Sequence, residues 1–189
     1  MSEETVIKNC SPTMAGLKTG SLFACPAEDR RELNRNIREL NGVMVPRGVR
    51  LLPVRCRGGR ALIYMYRPER LRNDLKDRTA RDILRQKRYP AEDPDRCVNE
   101  LIRRLNAGEL NAGEEFPHEV GLFLGYPAED VYGFIHQGAR CAKCGGVWKV
   151  YGDEEGAKKK FALYRKCTRL YLEAYRRHNS IDRLIISGS

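Results

Sequence analysis

Two apolar, β-branched runs, Val49 to Cys56 and Ala61 to Tyr66, flank the tetrapeptide Arg57-Gly58-Gly59-Arg60. Two adjacent glycines supply the positive φ angles of a tight hairpin turn, so the chain carries a pair of antiparallel strands with a face to bury. What covers that face is legible around it. From Ala27 to Asn41 the residues Leu33, Ile37 and Leu40 recur at helical spacing, with charges between them and Gly42 as a stop. Pro68 opens a helix to about Lys76, and Thr79 caps another to about Arg88, before Tyr89-Pro90. Asp93-Pro94 starts the next, with Val98, Leu101, Ile102 and Leu105 on one face and Asn106-Ala107-Gly108 as its end.

Further along, Glu119 to Gly125 is short and almost wholly apolar, which predicts a buried strand. Tyr126-Pro127 leads into a helix from Ala128 to Gln137, and Val147 to Tyr151 reads as another short strand. Asp153 caps a long helix from about Glu154 to His178, whose inward stripe is Phe161, Tyr164, Thr168, Tyr171 and Tyr175. Near the start, Ser11-Pro12 has the form of an N-cap followed by proline at the first helical position, which places Cys10 at a helix beginning. Residues 1–9 then read as a tail that could be disordered, and residues 181–189 as an edge strand or a frayed end. The whole predicts one α+β domain over residues 1–189, with a mixed sheet whose β-hairpin is packed by several amphipathic helices.

Composition narrows the class. Hydrophobic residues make up 41% of 189 residues, enough for a core without staples. Lys and Arg number 35 against 25 Asp and Glu, a net charge of +10, and no apolar run reaches membrane-spanning length. The opening Met1-Ser2-Glu3-Glu4-Thr5 is acidic where a signal peptide is basic, and the seven cysteines are an odd number spread along the chain. The expectation is a cytosolic protein with reduced thiols.

Specific motifs stand out from this background. They are His118-Glu119-Val120-Gly121-Leu122-Phe123-Leu124-Gly125-Tyr126-Pro127-Ala128-Glu129-Asp130-Val131-Tyr132-Gly133-Phe134-Ile135, then Trp148-Lys149-Val150-Tyr151-Gly152-Asp153, Tyr164-Arg165-Lys166-Cys167-Thr168, and the early Cys10-Ser11-Pro12-Thr13-Met14-Ala15-Gly16-Leu17-Lys18. With these, over nearly its whole length, the chain resembles the uncharacterised bacterial family catalogued as domain of unknown function 3793. The resemblance implies no activity, cofactor or catalytic residue.

The residues themselves suggest three chemistries. A cysteine at a helix N-terminus gains thiolate character, so Cys10 is a candidate nucleophile, with His118 as its base and Glu119 to orient the imidazole. A pocket between the Cys10 segment and the His118 strand would then bind a small molecule or a peptide. Cys141-Ala142-Lys143-Cys144 is half of a zinc knuckle, with His136 and Cys167 as the extra ligands it would need. Inert thiols and a redox dithiol are its other readings, and no cofactor is expected. Finally, Arg31, Arg35 and Arg38 on the first long helix, with Arg55, Arg57 and Arg60 on the hairpin, could form a face for nucleic acid or another polyanion. No aromatic-basic interleave of an RNA-binding sheet accompanies them.

Overall fold

A computed structural model describes residues 1–107 and 116–187, so the expected stop at Gly108 lies outside the described residues. The fold is α+β, and its contacts divide it into two compact units: Met1–Glu69 with Leu163–Ser189, and Arg70–Ala162.

The first unit is built on the hairpin. Strands β1 (Gly20–Pro26), β2 (Arg50–Arg57) and β3 (Arg60–Tyr66) form a sheet in the order β1-β3-β2, antiparallel throughout. Gly58 and Gly59 take φ values of 57° and 70°, the conformation that joins two strands through a two-residue turn without splaying them. Helices α1 (Glu3–Met14) and α2 (Arg30–Met44) pack against β1 and β2 respectively. Phe23, Leu51, Ile63 and Met65 meet Val6, Ile7, Cys10 and Met14 from α1 and Leu33, Ile37, Leu40 and Met44 from α2 in one apolar core. Asn41 joins helix to strand, its amide donating to the Leu51 carbonyl and accepting from the Leu51 N–H, both at 2.9 Å.

Two expectations about the ends are corrected. Residues 1–9 are no tail: Ser2 caps α1, accepting from the Thr5 N–H, Glu3 and Glu4 occupy the first turn, and Val6, Ile7, Cys10 and Met14 form its buried stripe. Ser11-Pro12 therefore lies in the last turns of a helix that began earlier. At the other end, Asp182–Leu184 is a 3-10 turn, with Ile181, Leu184 and Ile185 in the core, and the Ile186 N–H donates to the Met14 carbonyl. Neither an edge strand nor fraying describes the residues up to 187.

The second unit is mostly helical. It contains α4 (Arg78–Gln86), α5 (Pro94–Ala107), α6 (Val120–Phe123) and α7 (Ala128–Gln137), with a small hairpin of β4 (Cys144–Gly145) and β5 (Lys149–Val150). Helix α3 (Pro68–Asp74) begins in the first unit and ends in this one, and α8 (Glu154–His178) runs from this unit into the first. Helix α7 packs on α4, α6 and β5. The expected strand over Glu119–Gly125 is instead the short α6, closed by turn bonds such as Val120 N–H to Pro117 O and Tyr126 N–H to Gly121 O. Val120, Leu122 and Phe123 are buried on all sides of it. A run that is apolar all round has no period, and so cannot declare itself strand or helix.

Candidate functional site

In the second unit a cavity of about 220 Å³ is lined by His118, Val120, Gly121, Tyr126, Asp130, Val131, Phe134, Trp148 and Lys149. Three local structures make it. Helix α6 with its flanking turns presents His118, Val120, Gly121 and Tyr126, α7 presents Asp130, Val131 and Phe134 at steps of one, three and four, and the β4–β5 hairpin presents Trp148 and Lys149. The walls are aromatic. His118 stands edge-on to Phe134 with ring centres 4.9 Å apart, and Tyr126 stacks on Trp148 at 4.9 Å. Behind Trp148, Phe161 meets the indole edge-on at 4.5 Å.

Asp130 holds the hairpin against α7. Its carboxylate, 1% exposed, accepts from the Trp148 indole N–H at 2.7 Å, the Tyr151 backbone N–H at 2.7 Å and the Gly152 N–H at 2.8 Å. Placed in the first turn of α7, it also sits at the positive end of that helix. Charge-assisted bonds of this kind are short and strong, so Trp148 has a fixed orientation on the cavity wall. Gly133 allows the packing: a Cβ there would collide with the Tyr151 ring, whose hydroxyl donates to the Gly138 carbonyl at 2.6 Å.

His118 and Glu119 are adjacent in sequence but serve different neighbours. Glu119 is 2% exposed, and its Oε1 accepts from the Tyr89 hydroxyl at 3.0 Å and from Arg104 at 3.4 Å. Arg104 lies over the Tyr89 ring at 4.3 Å and also donates to Glu100 at 2.7 Å. Burial first, and then the Glu119 charge, push the Tyr89 hydroxyl up out of the ordinary phenol range. The hydrogen bonds of Glu119 thus anchor α5 and Tyr89, in place of the expected orientation of the His118 imidazole.

Cys10 belongs to the first unit and His118 to the second. Cys10 is in the middle of α1, 0% exposed, and burial pushes its thiol up, opposed only partly by the Lys18 charge and a Ser21 hydrogen bond. The helix-start activation expected for it is absent because α1 begins at Glu3. Burial likewise lowers Lys18 to about 8. The cavity at His118 takes no residue from the Cys10 segment.

Among the described residues, no three or more His, Cys, Asp or Glu side chains gather as a metal site. His136 instead packs on Tyr132 at 4.2 Å between ring centres, and Cys167 is buried in the first unit. Cys141 is exposed and Cys144 half-buried, both free thiols. Of the six arginines proposed for polyanions, Arg31, Arg35 and Arg38 lie exposed on the outer side of α2, opposite Leu33, Ile37 and Leu40, with exposed Glu32 and Glu39 beside them. Arg57 and Arg60 pair across the hairpin turn, and Arg55 is half-buried on β2.

Taken singly, Tyr126, Asp130, Phe134, Trp148 and Lys149 carry no mark of a site in the sequence. Their signal is regional, since Tyr126, Asp130 and Phe134 lie within the motif His118–Ile135, and Trp148 and Lys149 within Trp148–Asp153. Comparison with known proteins agrees with that resemblance: the chain belongs to the family described as protein of unknown function (DUF3793), which it matches over residues 6–185. No curated protein matches the chain, and no solved structure does.

Proposed function

We propose that the second unit is a binding module for a small, largely apolar ligand, held in the cavity between His118, Phe134, Tyr126 and Trp148. The observation that carries this reading is a preformed aromatic cavity with its hairpin wall held by Asp130. Pockets of this kind combine apolar walls with a few placed polar groups, here His118, Asp130 and Lys149. An apolar cavity of about 150 Å³ accepts benzene, so about 220 Å³ suits one ring with a short substituent. The Asp130 carboxylate on the same lining is already taken by three N–H donors, so the His118 imidazole and Lys149 favour a substituent that accepts hydrogen bonds, such as a carboxylate. Thiol chemistry through Cys10 is not part of this reading, because a neutral buried thiol is a poor nucleophile.

Trp148 is the only tryptophan in the chain, so its emission reports on this cavity. The test is a titration with benzoate, benzyl alcohol and toluene. Benzoate is expected to give a saturable change, with weaker responses from the other two. Val131→Phe, which fills the cavity, should abolish it, and His118→Ala should weaken benzoate by about tenfold, the worth of one charge-assisted hydrogen bond. Equal, non-saturating responses in the wild type and in Val131→Phe would reject the cavity as a ligand site.

A further inference from the structure

We propose that Cys141 and Cys144 form a reversible dithiol–disulfide site within the hairpin segment that walls the cavity. All seven cysteines are free, yet their surroundings differ. Cys10, Cys25, Cys97 and Cys167 are at most 7% exposed, and the Cys56 thiol faces the Ala27 carbonyl at 3.9 Å. Cys141 is exposed, and Cys144, three positions on, is half-buried. The backbone shapes the turn between them. A 3-10 turn over Ala139–Cys141 leads out of α7, the Lys143 N–H donates to the Val150 carbonyl at 2.8 Å, and Cys144 lies in register opposite Val150.

A bridge between such close positions closes a small ring, so it removes little chain entropy and adds little stability. Exposed bridges of that kind exchange readily, whereas structural ones resist reduction. The co-reactant is a low-molecular-weight disulfide. Cys141, the more exposed, loses its proton and attacks one sulfur; that S–S bond breaks, and the departing thiolate takes up a proton. Cys144 then loses its proton and attacks the Cys141 sulfur of the mixed disulfide, releasing the second small thiol. Two protein thiols are oxidised, one disulfide is reduced to two thiols, and the two protons pass to those products.

The same hairpin carries the cavity wall. Gly145 lies opposite Lys149, and the Gly146 N–H donates to the Trp148 carbonyl at 3.0 Å. Formation of the bridge therefore shifts the strand that presents Trp148 and Lys149, and changes the surroundings of the indole.

The experiment is equilibration of the full chain across a series of reduced-to-oxidised glutathione ratios, followed by alkylation, intact mass and Trp148 emission. No cavity ligand is used, so the result is independent of the proposed binding function. The expected outcome is loss of two alkylatable thiols together, reversal by dithiothreitol, and an emission change that follows the same curve. Trypsin cleaves after Lys143, so the two halves remain joined only when the bridge is present. Cys144→Ser should stop at the mixed disulfide on Cys141 and show no joined peptides, with unchanged far-ultraviolet circular dichroism as the folding control. A pair that stays reduced at every ratio, or accumulates only mixed disulfides, overturns the site. Emission that ignores bridge formation overturns its link to the cavity wall. Retention of one zinc per chain in reducing buffer, with the thiols protected until a chelator is added, also overturns the proposal.

Discussion

Arg67 in the first unit and Asp130 in the second are both buried charges at helix ends, and they are used differently. Arg67, 5% exposed, donates to the carbonyls of Thr13 and Met14 at 2.7 Å and of Ile186 at 2.6 Å. It closes the negative end of α1 and ties the C-terminal segment to it. Asp130 does the mirror-image work at the positive end of α7, gathering an indole and two backbone N–H groups. Core surrounds the first charge, whereas the second lines a cavity of about 220 Å³. The two buried charges therefore differ in that only the partners of Asp130 also face an open space.

The comparison breaks most visibly at the two charges themselves. Asp130→Ala leaves three donors without their acceptor, and Arg67→Met leaves carbonyls without theirs; each should cost about 3–5 kcal/mol in denaturant unfolding. Only Asp130→Ala should shift the Trp148 emission of the folded protein under native conditions. An equal emission change in Arg67→Met would dissolve the distinction. Next in size is Gly133→Ala. The added methyl displaces the Tyr151 ring, with an expected loss of about 1–3 kcal/mol and weaker benzoate binding. Normal stability and binding in this variant would show that the α7–hairpin contact is loose.

The first unit is sharpened by pH. Burial holds the Lys18 ammonium at about 8, down from its ordinary 10.5, so above pH 8 the folded chain releases a proton that the unfolded chain still holds. Stability therefore rises with pH from 8 towards 10.5, by about 1 kcal/mol over the first unit. Cys10 works against this above pH 9, because the unfolded thiol loses its proton there and the buried one keeps it. Burial raises Cys25, Cys97 and Cys167 as well, so the net expectation is a climb from pH 8 to 9 followed by a fall. Lys18→Met should flatten the climb in chemical-denaturation curves, and a climb that persists would assign it to other groups.

The smallest effect concerns the outer face of α2. Reversing Arg31, Arg35 and Arg38 to Glu should change stability by less than about 0.5 kcal/mol per site and leave benzoate binding unaltered. Association of wild-type protein with double-stranded DNA should be confined to low salt and fade by about 150 mM, where the Debye length is about 8 Å. Binding that survives that salt and falls with the triple reversal would make α2 a functional face.

Local chemistry sufficed for much of the architecture. Gly58-Gly59 declared a hairpin, and the expected bounds of α7 and α8 coincide with those found, because Pro127 and Asp153 fix the starts by capping and geometry alone. The stripe of Leu33, Ile37 and Leu40 likewise named the buried side of α2. Tertiary structure decided the rest. Whether Glu119–Gly125 was strand or helix depended on partners on every side, since a uniformly apolar run has no period to read. Ser11-Pro12 carried the marks of a helix start, but an earlier cap at Ser2 and burial of Val6, Ile7 and Cys10 prevailed, and Cys10 became a core thiol. Asp130 looked like an ordinary acid in a first helical turn. Its role came from Trp148, Tyr151 and Gly152, residues 18 to 22 positions away, because a hydrogen-bond acceptor is defined by the donors that folding delivers to it.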